Sequence, residues 1–138
     1  MILTQPPVPR ERLTESARQA RDKAYAPYSG FACGAAVWAN GEMYTGSNIE
    51  NASYGLSCCA ERVAIFKAVA AGHRHLAGVA VASSDSKLPL PCGACLQVMA
   101  EFAPGDIPII LDSDEGEPVI YYLEQLLPRP FQLKGGRE

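Results

Sequence analysis

Leu13, Ala17, Ala20 and Ala24 recur at helical spacing, ahead of the pair Pro27 and Tyr28. The pattern predicts a first amphipathic helix that this pair closes. Two runs follow, FACGAAVWA and EMYTGSNIE, joined by Asn40-Gly41. That dipeptide predicts a two-residue hairpin, because a type I′ turn needs positive φ at both central positions. The short segment CCAER, residues 58–62, then leads into VAIFKAVAA. This apolar stretch reads as a helix with Val63, Ala64, Phe66, Ala68 and Ala71 on its inner face, ending at Gly72.

Further along, LAGVAVAS (76–83) is a small, β-branched run of the kind found in buried strands. After the loop SDSKLPLP, a helix is predicted from near Cys92, with Val98, Met99 and Phe102 inward. IPIIL and PVIYY read as strands on either side of the turn DSDEGE, and LEQLLP as a short helix stopped by Pro128. The resulting order, α-β-β-α-β-α-β-β-α, predicts a layered α/β sandwich with at least one parallel strand pair.

A chain of 138 residues is the size of one domain, expected to span residues 1–138 with loose ends near 1–10 and 134–138. Its 48% apolar and 20% charged content is far from the composition of disorder, so it should bury a core. The net charge of −3 supplies no positive field for a phosphate backbone, which disfavours a polymeric nucleic-acid partner. The start, MILTQPPVPRERL, lacks the pattern of a signal peptide. No apolar run approaches the roughly 20 residues of a membrane span. A cytoplasmic protein with no membrane partner is expected.

Five cysteines, Cys33, Cys58, Cys59, Cys92 and Cys95, form an odd set in such a chain. Metal binding or catalysis therefore outranks a disulfide framework. Cys59-Ala60-Glu61 and Pro91-Cys92-Gly93-Ala94-Cys95 each lie where the chain feeds a helix start. Two helix starts can meet over one ion, where their partial positive charge and free N–H groups favour thiolate. Cys59, Cys92 and Cys95 would then hold Zn²⁺ with a fourth position open to water, the mark of a catalytic site. Three thiolates leave that site at −1, and Arg62 stands beside Cys59 to drain the charge. From the first helical turn, Glu61 can lean toward the water without competing as a ligand, and can act as general acid and base.

Each piece has a plainer reading. C-x-x-C alone is more often a redox motif or half of a structural zinc site. A Glu in a first helical turn is an ordinary match to the helix dipole. The combination points to catalysis, because a structural site wants a fourth protein ligand and Cys58 is poorly placed to be one. Cys33 and Cys58 read as small buried residues. His73 and His75, just past Gly72, read as a solvated loop, and Trp38 as packing or interface surface.

The cysteine–glutamate pattern matches the zinc-dependent deaminase signature, with Cys59 in the place that signature gives to His. Beyond it, AYAPYSGFACGAA, GSNIENASYGLSCCAERVAIFKAV, PCGACLQVM and LEQLLPRPF together span about residues 24–131. In these segments the chain resembles the small homotetrameric cytidine deaminases. The resemblance implies a three-layer α-β-α sandwich with a mixed five-stranded sheet, one zinc per chain on Cys59, Cys92 and Cys95, and Glu61 as proton shuttle. It implies that Asn48 and Glu50 bind ribose hydroxyls and that Phe31 lies against the pyrimidine ring. It further implies that Ala52 and Tyr54 line the site, Tyr54 from a neighbouring subunit, and that Phe131 closes it across an interface. Without the family, Phe31, Tyr54 and Phe131 would read as core, and Asn48 and Glu50 as turn residues.

One departure stands out: Leu96 occupies the place after the last cysteine where the family usually has Arg. The expectation is a homotetrameric cytidine and deoxycytidine deaminase acting on a small nucleoside. The alternatives are a deaminase of another cytosine-containing small molecule, such as blasticidin S, and a zinc module without catalysis. The segment Asn48–Asn51 separates the first alternative, and Glu61 the second.

Overall fold

Asn40 and Gly41 both take positive φ, 53° and 83°. The chain reverses there in the expected tight hairpin between β1 (Cys33–Ala39) and β2 (Glu42–Ser47). The computed structural model describes residues 7–133. β1 pairs antiparallel with β2 on one side and with β3 (Gly78–Ser83) on the other. α3 (Gly93–Phe102) carries the chain from β3 to β4 (Pro108–Asp112), so these two strands lie parallel. β5 (Val119–Tyr122) closes the mixed sheet, whose order is β2-β1-β3-β4-β5.

Alternation along the strands sorts the core into two layers. Cys33, Ala35, Val37, Val79, Val81, Ile109 and Leu111 face one way, under α2 (Ala60–Ala70), α3 and the short α4 (Leu123–Leu126). Ala36, Trp38, Ala80, Ala82 and Ile110 face the other way, under Leu13 and Ala17 of α1 (Arg10–Arg21). The central strands are apolar on both faces because both are covered. This is the expected three-layer α-β-α arrangement. Arg18 fastens α1 to the sheet through two bonds, 2.7 and 3.0 Å, to the buried carboxylate of Asp112.

Several expectations change in detail. α1 stops at Arg21, so Ala24 lies beyond it rather than on its inner face. The chain leaves the helix early because Tyr25 bonds across to Asn48 and Glu50 (both 2.9 Å). On α2, the buried residues are Ala60, Glu61, Ala64, Ile65 and Ala68, whereas Phe66 is half exposed and Val63 only partly covered. The cause is close approach: a Cβ at Gly46 of β2 would stand 2.5 Å from the Ala64 backbone nitrogen. The helix therefore turns its smallest side chains to the sheet. On α3, Met99 is buried as predicted, but Cys95, Leu96 and Ala100 share that face, and Val98 and Phe102 sit at its margin.

His73 is not in a solvated loop. Its Nε2 lies 2.9 Å from the Tyr44 hydroxyl, which donates to Glu42 at 2.7 Å, and only His75 is exposed. Trp38 is core, 7% exposed, with the Arg12 guanidinium 5.9 Å from its ring centroid. Of the ends expected to be loose, residues 1–6 and 134–138 lie outside the described residues, and Arg10 already opens α1.

Candidate active site

Beyond Ser47 the chain leaves the sheet ladder, and Ile49 is gripped between Tyr25 on one side and Cys58 on the other. Cys58 gives its backbone N–H to the Ile49 carbonyl and receives the Ile49 N–H in return, both at 2.9 Å. This pairing fixes Cys58 as a half-buried structural neighbour, less enclosed than expected, and delivers Cys59 to the start of α2. It also lays Asn48 and Glu50 beside the CCAER segment.

Cys59 is the N-cap residue of α2 and Cys92 that of α3. Cys95 stands one turn into α3, on the same side as Cys92. The three Sγ atoms lie within 4.8 Å of one another, with Cys59–Cys92 at 4.0 Å and Cys92–Cys95 at 3.6 Å. A tetrahedral zinc with Zn–S of about 2.3 Å requires sulfurs about 3.8 Å apart. The donor set therefore fits the ion in both spacing and chemistry. Among the described residues, no fourth His, Cys, Asp or Glu joins this group. Cys33 stays outside it, buried on the core face of β1, and burial pushes its thiol up.

The thiols compete for negative charge. Cys59 is pushed down to about 5, first by its hydrogen bond with Cys95 and then, against burial, by Arg62. Cys95 is pushed up by that same bond and by burial. Arg62 Nη2 donates to Cys59 Sγ at 3.5 Å, so the guanidinium stands where the excess thiolate charge needs it. Leu96, by contrast, is packed in the core at 7% exposure and offers no charge.

Glu61 is 5% exposed on the first turn of α2. Burial, reinforced by the charge of Cys59, pushes its carboxyl up to about 7. It opens into a cavity of about 370 Å³, whose wall also includes Phe31, Asn48 and the loop from Asp85 to Leu90. A second, wider cavity of about 820 Å³ is lined by Glu50, Ala52, Tyr54 and Arg62 among others. Phe31, Asn48, Cys59 and Cys92 border both, so these two thiols sit where the two spaces adjoin, with Cys95 buried behind them.

Asn48 and Glu50 are wired into the turn that carries Phe31. Asn48 Oδ1 accepts the Cys33 N–H and its Nδ2 donates to the Phe31 carbonyl, both at 2.8 Å. Glu50 Oε1 accepts the N–H groups of Tyr28 and Ser29 at 3.0 and 3.1 Å, and Oε2 accepts the Ser29 hydroxyl. The Ser29 bond leads the interactions that hold the Glu50 carboxyl below its usual range. Of the predicted substrate-binding residues, Phe131 alone borders neither cavity. Gln97 grips its backbone N–H and carbonyl at 3.2 and 2.9 Å and leaves the residue 69% exposed. Sequence reasoning missed both Ser29 and Gln97, because their roles are hydrogen bonds to backbone far along the chain.

Three thiols on two helix starts, a buried carboxyl beside them and an open cavity in front are the equipment of a zinc-dependent hydrolytic deaminase. Residues 8–111 match the family model described as the cytidine and deoxycytidylate deaminase zinc-binding region. The chain is 48% identical to a cytidine deaminase of Halalkalibacterium halodurans over 124 residues, covering 88% of this chain and 93% of that one. It is 43% identical to that of Sporosarcina psychrophila over 122 residues, 88% of this chain and 90% of the other. Its structure is similar to the cytidine deaminase of Burkholderia pseudomallei, with a TM-score of 0.85 at 43% identity over 90% of this chain and all of that one. The chain belongs to this family of zinc-binding deaminases. It is an enzyme, with Cys59, Cys92 and Cys95 the group positioned to bind the zinc.

Proposed function

We propose that the protein deaminates cytidine and deoxycytidine to uridine and deoxyuridine, releasing ammonia, as a step of pyrimidine salvage in the cytoplasm. The carrying observation is that Glu61 and two members of the thiol cluster, Cys59 and Cys92, line one cavity bordered by Phe31 and Asn48. Cys59, Cys92 and Cys95 would hold the zinc, which supplies the Lewis acidity that makes a water acidic enough to attack near neutral pH. Glu61 takes one proton from the attacking water as its oxygen adds to carbon 4, and places it on ring nitrogen 3. It then takes the second proton to the exocyclic nitrogen, so that the C4–N bond breaks as C4=O forms. A carboxyl poised near neutrality suits a group that must take and give a proton in turn. Phe31 flanks the ring, and Asn48 and Glu50 meet the ribose hydroxyls. Residues 1–138 form one catalytic unit.

The enzyme is further proposed to act as a homotetramer with shared sites. Tyr54 is 90% exposed at the cavity wall and Phe131 69% exposed away from it, as residues that complete a neighbour's site should be. Helices of the described residues are all too short or too polar to cross a membrane, in keeping with a cytoplasmic location. A substrate panel of cytosine, cytidine, deoxycytidine, cytidine monophosphate and blasticidin S tests the reading. The two nucleosides should dominate, and preference for blasticidin S or the free base would overturn it. A stable, active monomer on sizing would contradict the shared site.

Arg62 is the side chain proposed to offset the thiolates. In Arg62→Ala, zinc affinity measured by chelator competition should fall about 10–100-fold, as it does when groups hydrogen-bonded to metal ligands are removed. Wild-type zinc retention and turnover in that variant would remove this role.

A further inference from the structure

The Ser29 hydroxyl stands between two groups that meet different halves of the substrate. It donates to Glu50 Oε2 and accepts the Phe31 backbone N–H at 3.0 Å. Glu50 Oε1 meanwhile binds the two preceding N–H groups of the same turn, and Asn48 binds the Phe31 carbonyl. The N–H groups of Tyr28, Ser29 and Phe31 and the Phe31 carbonyl are thereby tied, directly or through one hydroxyl, to Asn48 or Glu50, while Gly30 and Ala32 bond to Ala26 and Ser84. Ser29, Phe31, Asn48 and Glu50 all border the wider cavity. The turn itself lies on the surface, with Tyr28 64% and Phe31 39% exposed. Packing alone does not hold it, and hydrogen bonds must.

We propose that Ser29 is a positioning residue that locks the sugar-facing carboxylate of Glu50 and the base-facing ring of Phe31 into one unit. The inference rests on the nucleoside reading given above, in which those two residues meet ribose and pyrimidine. Removing the hydroxyl frees Glu50 Oε2 to rotate and leaves the Phe31 N–H to water. Both halves of the site then lose their preset spacing, and the substrate must restore it on binding. The metal ligands and Glu61 are untouched. The loss therefore falls on binding shared by ground and transition states, which raises KM and spares kcat.

The test compares steady-state cytidine kinetics of wild type and Ser29→Ala, with zinc content and melting temperature on the same samples. KM should rise about tenfold or more, the scale of one hydrogen bond to a charged group. kcat should stay within about twofold, with zinc and melting temperature unchanged. Should Ser29→Ala fold poorly, the isosteric pair Ser29→Thr and Ser29→Val makes the same comparison. The Thr variant should keep a near-wild-type KM and the Val variant should not. An unchanged KM in Ser29→Ala, a loss confined to kcat, or equal behaviour of the Thr and Val variants overturns the proposal while the nucleoside reading stands. A wild-type enzyme inactive on cytidine overturns both.

Discussion

Replacing Glu61 with alanine is expected to leave about one zinc per chain and to slow cytidine turnover on the order of 10²–10⁴-fold. Glu61 lies outside the thiol cluster, so its loss removes no ligand. It is also buried, with a carboxyl that burial makes reluctant to ionise, so truncation leaves no stranded partner and relieves a desolvation cost. Turnover and metal content should separate cleanly. Glu61→Gln, which keeps the shape and loses the titratable group, should be nearly as slow. Full activity in either variant would mean that the proton moves by another route.

Cys95→Ser is expected to do the opposite: zinc content falls well below one per chain, and turnover falls with it by on the order of 10³-fold or more. Cys95 is fully buried and one of three donors, and a hydroxyl in its place is a poor ligand for zinc. Chelator treatment of wild type should reproduce the loss, with added zinc restoring wild type but not the variant. Cys58→Ser is the matched control. Its thiol lies outside the donor group, and its backbone, not its side chain, holds Ile49, so zinc and turnover should stay within about twofold of wild type. Zinc retained at one per chain in Cys95→Ser would show that the ligand set is wrong.

Much of this site is written into short stretches of sequence. The thiols were legible because helix starts are local features and two of them needed only to meet. The hairpin was legible because Asn-Gly satisfies a stereochemical demand that few dipeptides meet, and both φ values are positive as that demand requires. The inner face of α2 was legible only in part, at Ala64 and Ala68 but not at Val63, Phe66 or Ala71. Apolar residues lie on every side of AERVAIFKAVA, and Gly46 on a distant strand decides that Ala60, Ala64 and Ala68, not Phe66, turn inward. His73 was misread for a similar reason, since its partners Tyr44 and Glu42 come from β2. Asn48 and Glu50 were assigned by resemblance to the sugar alone. Their second task, holding the turn that carries Phe31, depends on the chain folding back to residues 28–33. Leu96 is likewise sharpened: it is an apolar member of the core, which leaves Arg62 as the cation bonded to Cys59.

The most direct measurement is the fall in ultraviolet absorbance when zinc-loaded wild-type protein meets cytidine, with released ammonia assayed in the same reaction. Conversion to uridine with one ammonia per cytidine consumed is expected, abolished by chelation and regained with zinc. A protein carrying about one zinc per chain that leaves cytidine unchanged would contradict it.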